Sequence, residues 1–176
     1  MIDVELLVKL KIPDVTALTA ANSLRRRMGY EDALVELRRA DYYRIGLNVD
    51  SVDAAMALAT ELADDSNQFV NPNKHVYEIR LPDAASDDSG DVGTEMVEAL
   101  IIDPNDGSAQ GSLGALQGRL GYGDRVASLS KGVLWLMTLK AENHDAAKQL
   151  AEELTVTTRI DQGLLMNPHF QECTIR

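Results

Sequence analysis

The side chains able to do chemistry are few and scattered. Three histidines, His75, His144 and His169, occur singly, and none stands at a metal-ligand spacing from another His, Cys or carboxylate. Their plain reading is as solvated or core imidazoles. Cys173 has no basic neighbour in sequence and falls in a strand-like run, which suits a small apolar residue better than a nucleophile. Carboxylates abound, yet a pair for acid–base work cannot be told from the solvated faces of helices. No phosphate-cradling Walker loop, nucleophile elbow or dinucleotide fingerprint is present. The expectation is a chain with no catalytic residue, no metal and no cofactor of its own.

Two further patterns are compatible with binding. Arg25, Arg26 and Arg27 form the one basic run and, with Arg38, Arg39 and Arg44, could make a patch; at the end of a helix such a run also simply complements the helix dipole. Gly111, Gly114, Gly118 and Gly121 recur at helical spacing, where the residues 92 positions earlier are Thr19, Asn22, Arg26 and Gly29. Glycine there permits close approach by a partner backbone or, less readily, a phosphate at a helix start; it is equally a surface drifted free of constraint, at about 1 kcal/mol per site against alanine.

The elements that carry these residues come from the charge and hydropathy pattern. The net charge of -11 is uneven: residues 1–81 hold 10 basic and 13 acidic side chains, residues 82–95 none and 5, and residues 96–176 hold 7 and 10. The middle stretch, PDAASDDSGDVGTE, reads as an acidic linker. Mildly acidic flanks argue against binding nucleic acid, which needs a basic surface. A lone cysteine and the lack of a signal-like segment point to a reducing, cytoplasmic setting, and no apolar run approaches the roughly 20 residues of a membrane helix.

Sliding the chain by 92 positions pairs residues 4–62 with 96–154 at 16 identities in 59. Leu24, Arg27, Gly29, Tyr30 and Asp32 repeat as Leu116, Arg119, Gly121, Tyr122 and Asp124. With four extra residues in the second copy, Asn71, Pro72, Ile79 and Arg80 match Asn167, Pro168, Ile175 and Arg176. The chain reads as a tandem duplication: a first repeat over 1–81, the linker over 82–95, a second repeat over 96–176.

Each copy begins with a strand. Val4, Leu6, Val8 and Leu10 alternate with Asp3, Glu5, Lys9 and Lys11, which predicts one wet face. Thr16 and Ser108 stand where helix caps belong, Ala17, Ala21, Leu24 and Met28 form an apolar stripe, and Gly29 and Gly121 end the helices. The runs 33–39 and 42–49, like 126–131 and 133–141, predict hairpins broken at Ala40-Asp41 and Lys131-Gly132. Ser51 and Asn143 cap a second helix, Asn-Pro stops it from continuing, and a last strand runs over 76–81 or 170–175. The fold class is α+β: two tandem β-α-β-β-α-β units, ferredoxin-like, each with two helices on a mostly antiparallel sheet. Tyr42 and Tyr43 correspond to Leu134 and Trp135, and the unbroken run Val133 to Met137 predicts a strand buried on both faces, against the sister copy.

Leu24 to Tyr30 (LRRRMGY), Arg39 to Tyr43 (RADYY), Asn71-Pro72, Asp103-Pro104, Leu116 to Tyr122 (LQGRLGY) and Leu164 to Pro168 (LLMNP), in that order and found twice, resemble the PurS subunit of phosphoribosylformylglycinamidine synthase. The likeness covers nearly all of both halves and leaves out the linker. The family usually has one unit per chain. The resemblance implies a non-catalytic subunit of an ATP-dependent carbon–nitrogen ligase. In that complex a synthetase (PurL-like) uses ATP, a glutaminase (PurQ-like) supplies ammonia from glutamine, and the small subunit bridges them. It also implies that the tandem pair is a fused dimer with pseudo-twofold symmetry. Candidate partner or repeat-interface residues are then Gly29, Tyr30, Tyr42, Tyr43, Asn71, Pro72, Gly114, Gly118, Gly121, Tyr122, Leu134, Trp135, Asn167 and Pro168. The alternative is a tandem ferredoxin-like regulatory module that binds a small ligand, since fold does not settle function.

Overall fold

The computed structural model describes residues 1–82 and 93–176; of the expected acidic linker, residues 83–92 lie outside them. The first half of the chain gives β1 (Ile2–Leu10), α1 (Val15–Met28), β2 (Leu34–Leu47), α2 (Val52–Asp65) and β3 (His75–Arg80). The second gives β4 (Glu95–Ile102), α3 (Ser108–Gln117), β5 (Val126–Leu139), α4 (His144–Thr155) and β6 (Glu172–Ile175), with a 3-10 turn at Gly123–Arg125. This is an α+β chain of four helices and a six-stranded sheet in the order β3-β1-β2-β5-β4-β6. The pairings β1–β2, β1–β3 and β4–β6 are antiparallel.

Each half therefore has three strands, not the four of the expected β-α-β-β-α-β unit. The two expected hairpins are single strands of 14 residues. Ala40-Asp41 and Lys131-Gly132 do not turn the chain: Ala40 is buried and Asp41 stays in the ladder opposite Val8. Neither dipeptide has the Asn-Gly or Asp-Gly chemistry that a two-residue turn demands.

The described chain forms two compact units, and they do not follow the sequence halves. Unit one holds residues 1–12, 41–82 and 105–132; unit two holds 13–40, 93–104 and 133–176. The positions that looked like hairpin turns are where β2 and β5 leave one unit for the other. In unit one, Val4, Leu6, Val8, Ile45 and Leu47 form a core with Ala55, Leu58, Ala59 and Leu62 of α2 and with Leu116 of α3. In unit two, Val97, Ala99, Ile101, Trp135, Met137 and Leu139 pack with Ala147, Ala151 and Leu154 of α4 and with Ala17, Ala21 and Leu24 of α1. The apolar stripe of α1 is buried at Ala17, Ala21 and Leu24 and half-buried at Met28, and α1 and α3 each share a core with strands from the other sequence half. Leu134 to Met137 are all buried, as their unbroken apolar run predicts.

The caps hold with one change. Ser51 Oγ accepts from Ala54 N–H at 3.2 Å and Asn143 Oδ1 from Ala146 N–H at 2.9 Å. For α1 the capping group is Asp14, not Thr16: its Oδ1 accepts from Thr16 N–H at 2.8 Å and Ala17 N–H at 3.2 Å. At α3 the cap position is Gly107, not Ser108, and the aspartate before it, Asp106, accepts from Ser108 N–H at 2.8 Å. A carboxylate at that place gains from the helix dipole as well as the bond. Likewise β6 starts at Glu172, so Phe170 precedes the strand and is exposed.

Candidate functional site

Both Gly-Tyr pairs fold back on the preceding helix with the same hydrogen bond, although only Gly29 is itself a helix cap. Gly29 and Gly121 take φ of 83° and 75°, left-handed values that cost a side chain but not glycine. The following tyrosine N–H then reaches back to a leucine carbonyl, Tyr30 to Leu24 at 3.2 Å and Tyr122 to Leu116 at 3.0 Å. Here α3 is shorter than α1: it ends at Gln117 with Gly118 as its cap, so Gly118 and Gly121 lie beyond the helix on which the spacing placed them.

The two tyrosines then diverge. In unit one Tyr122 is buried, Arg125 stacks its guanidinium 5.2 Å from the ring centroid, and Arg125 Nη2 lies 3.7 Å from Glu61 Oε1. Burial and the charges of Glu61 and Asp65 raise the Tyr122 pKa, while Arg125 opposes them. In unit two the Tyr30 hydroxyl donates to Glu153 Oε1 at 2.6 Å. Its pKa is pushed up to about 12 by burial first, then by the hydrogen bond and charge of Glu153 and by Asp161. Beside it opens a cleft of about 310 Å³ lined by Met28, Tyr30, Glu153, Arg159, Asp161 and Gln162. The outer wall is a turn in the second half, in which Gln162 N–H bonds Arg159 C=O at 3.2 Å.

The two Asn-Pro sites are the same turn. Asn71 Oδ1 accepts from Asn73 N–H and Asn167 Oδ1 from His169 N–H, each at 3.0 Å. The Asn71 N–H donates to His75 Nδ1 at 3.1 Å and the Asn167 N–H to Gln171 Oε1 at 2.9 Å. These asparagines thus hold the chain's entry into β3 and β6. Lys11 Nζ donates to the Pro72 carbonyl at 2.6 Å, and Asn167 and Pro168 line a groove of about 480 Å³ with Leu164, Met166 and Gln171.

A feature the alternation of β1 hides is a buried ion pair, with a half-buried counterpart in unit two. Glu5, expected on a wet face, is 1% exposed; its Oε2 lies 2.9 Å from Arg80 Nε and its Oε1 accepts from the Tyr42 hydroxyl at 2.9 Å. In unit two Glu98 Oε2 lies 2.9 Å from Arg176 Nε. The signal is in the sequence at a slide of 93 rather than 92, which sets Val4, Glu5 and Leu7 on Val97, Glu98 and Leu100.

The other candidates are placed as follows. Tyr43 packs edge-on against Phe69 at 4.8 Å in the unit-one core, and Leu134 and Trp135 are buried in unit two. Gly111 and Gly114 are exposed, and a Cβ on either would meet nothing within 4 Å. The arginine patch is dispersed into local partners: Arg25 donates to the carbonyls of Leu34 and Val35, and Arg38, Arg39 and Arg44 pair with Glu36, Asp14 and Asp3. His144 lies 3.5 Å from Glu95, and His169 meets Phe170 edge-on. Burial and the Glu152 charge push the Cys173 thiol up to about 11. Among the described residues no three His, Cys, Asp or Glu side chains gather as a metal-binding group, and no helix is long and apolar enough to cross a membrane.

No protein-family model matches the chain, and no curated protein matches it.

Proposed function

We propose that the chain is a non-catalytic bridging subunit of phosphoribosylformylglycinamidine synthase, acting in the cytoplasm. It links a synthetase to a glutaminase while the complex converts formylglycinamide ribonucleotide to formylglycinamidine ribonucleotide with ATP and glutamine. The observation that carries this reading is the twofold recurrence, in fixed order, of the Gly-Tyr turn after a helix and the Asn-Pro turn, each closed by the same hydrogen bonds. A structural role is supported by His75, which accepts a hydrogen bond in a turn, by His144, which faces Glu95, and by Cys173, whose thiol burial pushes up. The fused-dimer part of the proposal draws on the interleaving of the sequence halves, because neither half supplies a complete core.

The test is reconstitution. With glutamine, ATP and substrate supplied, the synthetase and glutaminase together should form product with glutamine only when this chain is added, and the three should co-purify. Full glutamine-dependent activity without the chain, or no association with either subunit, overturns the reading.

A further inference from the structure

The cleft beside Tyr30 has an internal control in unit one. There a cation, Arg125, bridges the Tyr122 ring and the Glu61 carboxylate. Tyr30 and Glu153 reproduce that ring and that carboxylate 92 positions away, but the residue corresponding to Arg125 is Ala33. Unit two thus keeps the receptor for a cation and lacks the resident one. Nothing offsets the two carboxylates acting on Tyr30, whereas at Tyr122 Arg125 does so.

The turn at 159–162 adds charges of both signs. Arg159 and Asp161 both line the cleft, two residues apart and exposed, and among the described residues neither side chain is held by a hydrogen bond or an ion pair. The cleft therefore offers carboxylates at the Tyr30 side and a guanidinium at the turn. Its volume, about 310 Å³, is on the scale of a small metabolite.

We propose that this cleft binds a small zwitterion of the amino-acid class, with a guanidinium or ammonium over the Tyr30 ring against Glu153 and Asp161, and a carboxylate on Arg159. The cation takes the place that Arg125 fills in unit one, and the carboxylate contact is charge-assisted and suited to the planar fork of arginine. Of the candidate partner residues the site uses only Tyr30, and ligand binding is read on the isolated chain, so its failure and a failure of reconstitution are distinguishable.

The experiment uses the full chain and L-arginine as the probe, followed by thermal denaturation and by amide chemical shifts. Saturable stabilisation is expected at up to about 10 mM ligand, with shifts centred on residues 28–33 and 153–162. Agmatine, which lacks the carboxylate, should bind several-fold more weakly, and Arg159→Ala should reduce arginine to the level of agmatine. Glu153→Gln should weaken arginine about tenfold. Ala33→Arg supplies the missing cation without removing any lining group, and should block binding while leaving the fold intact. No stabilisation beyond that of equal sodium chloride, or binding unaltered in Glu153→Gln and Ala33→Arg, overturns the proposal.

Discussion

Arg80 Nε lies 2.9 Å from Glu5 Oε2 with both side chains withdrawn from solvent, at 9% and 1% exposure. They face each other across the β1–β3 ladder, so the backbone fixes the pair before the side chains contribute. The Tyr42 hydroxyl takes the other carboxylate oxygen. Removing one member leaves a buried charge alone, which costs about 3–5 kcal/mol, whereas replacing both by apolar residues of like volume is often neutral. Glu5→Ala should therefore lower the urea unfolding free energy by that amount, and Glu5→Leu with Arg80→Met should recover most of it. A loss under about 1 kcal/mol for Glu5→Ala, the value of a surface pair, would show that the pair is solvated.

A second prediction concerns the half-chain. Residues 1–82 contain β1, α2 and β3 of unit one but lack α3, and they carry α1 with Leu34 and Leu37 of β2 but without the β4, β5 and α4 residues that complete its core. Expressed alone, this fragment should either remain unfolded or associate with a second copy that supplies the missing helix. Light scattering with circular dichroism distinguishes these outcomes from a folded monomer, which would contradict the interleaved cores.

Gly114 sits in α3 with open space where a side chain would go. Gly114→Ala should stabilise the protein by about 1 kcal/mol, read from the denaturation midpoint at constant slope. If affinity for a partner subunit is unchanged in the same variant, the glycine stripe is not a site of close approach.

Tyr30 supplies a pH signature. Its folded pKa of about 12 lies above its ordinary 10.0, so the unfolded chain releases the proton first as pH rises. The associated stability is complete below pH 10 and is lost as pH climbs towards 12. Ultraviolet titration should show a late-ionising tyrosine that is absent from Tyr30→Phe; an unchanged titration would remove the assignment.

The Cys173 thiol behaves in the same direction, raised from 9.0 to about 11. In native protein it should react with a thiol reagent far more slowly at pH 8 than the same residue in denaturant, since the thiolate is the reactive form. Equal rates would mean that burial does not protect it.

Much of this architecture is written locally in the sequence. Ser51, Asn143 and Gly29 are read from neighbours within a few residues, and the burial of Leu134 to Met137 follows from an unbroken apolar run. What local pattern hides depends on partners far along the chain. Glu5 on an alternating strand has the look of a solvated residue, and Tyr42, 37 positions later, and Arg80, 75 positions later, make its burial tolerable. The stripe of Ala17, Ala21 and Leu24 announces a buried helix face without naming the strands it meets. The uninterrupted β2 and β5 escape for a related reason: a polar dipeptide marks a change of surroundings as readily as a turn. Tyr30 and Tyr122 follow a glycine at equivalent places yet end in different settings, because Arg125 has no counterpart at Ala33.

The exchange of helices between sequence halves also bears on how the chain is made. A nascent polypeptide emerging from the ribosome exposes the apolar stripe of α1 well before α4, with which it packs, has been synthesised. Unit one waits for α3 and for β5 as far as residue 132. Neither core can close vectorially, so folding is deferred until most of the chain is available, and the long-range pairings that follow favour slow, concerted assembly over growth from one end.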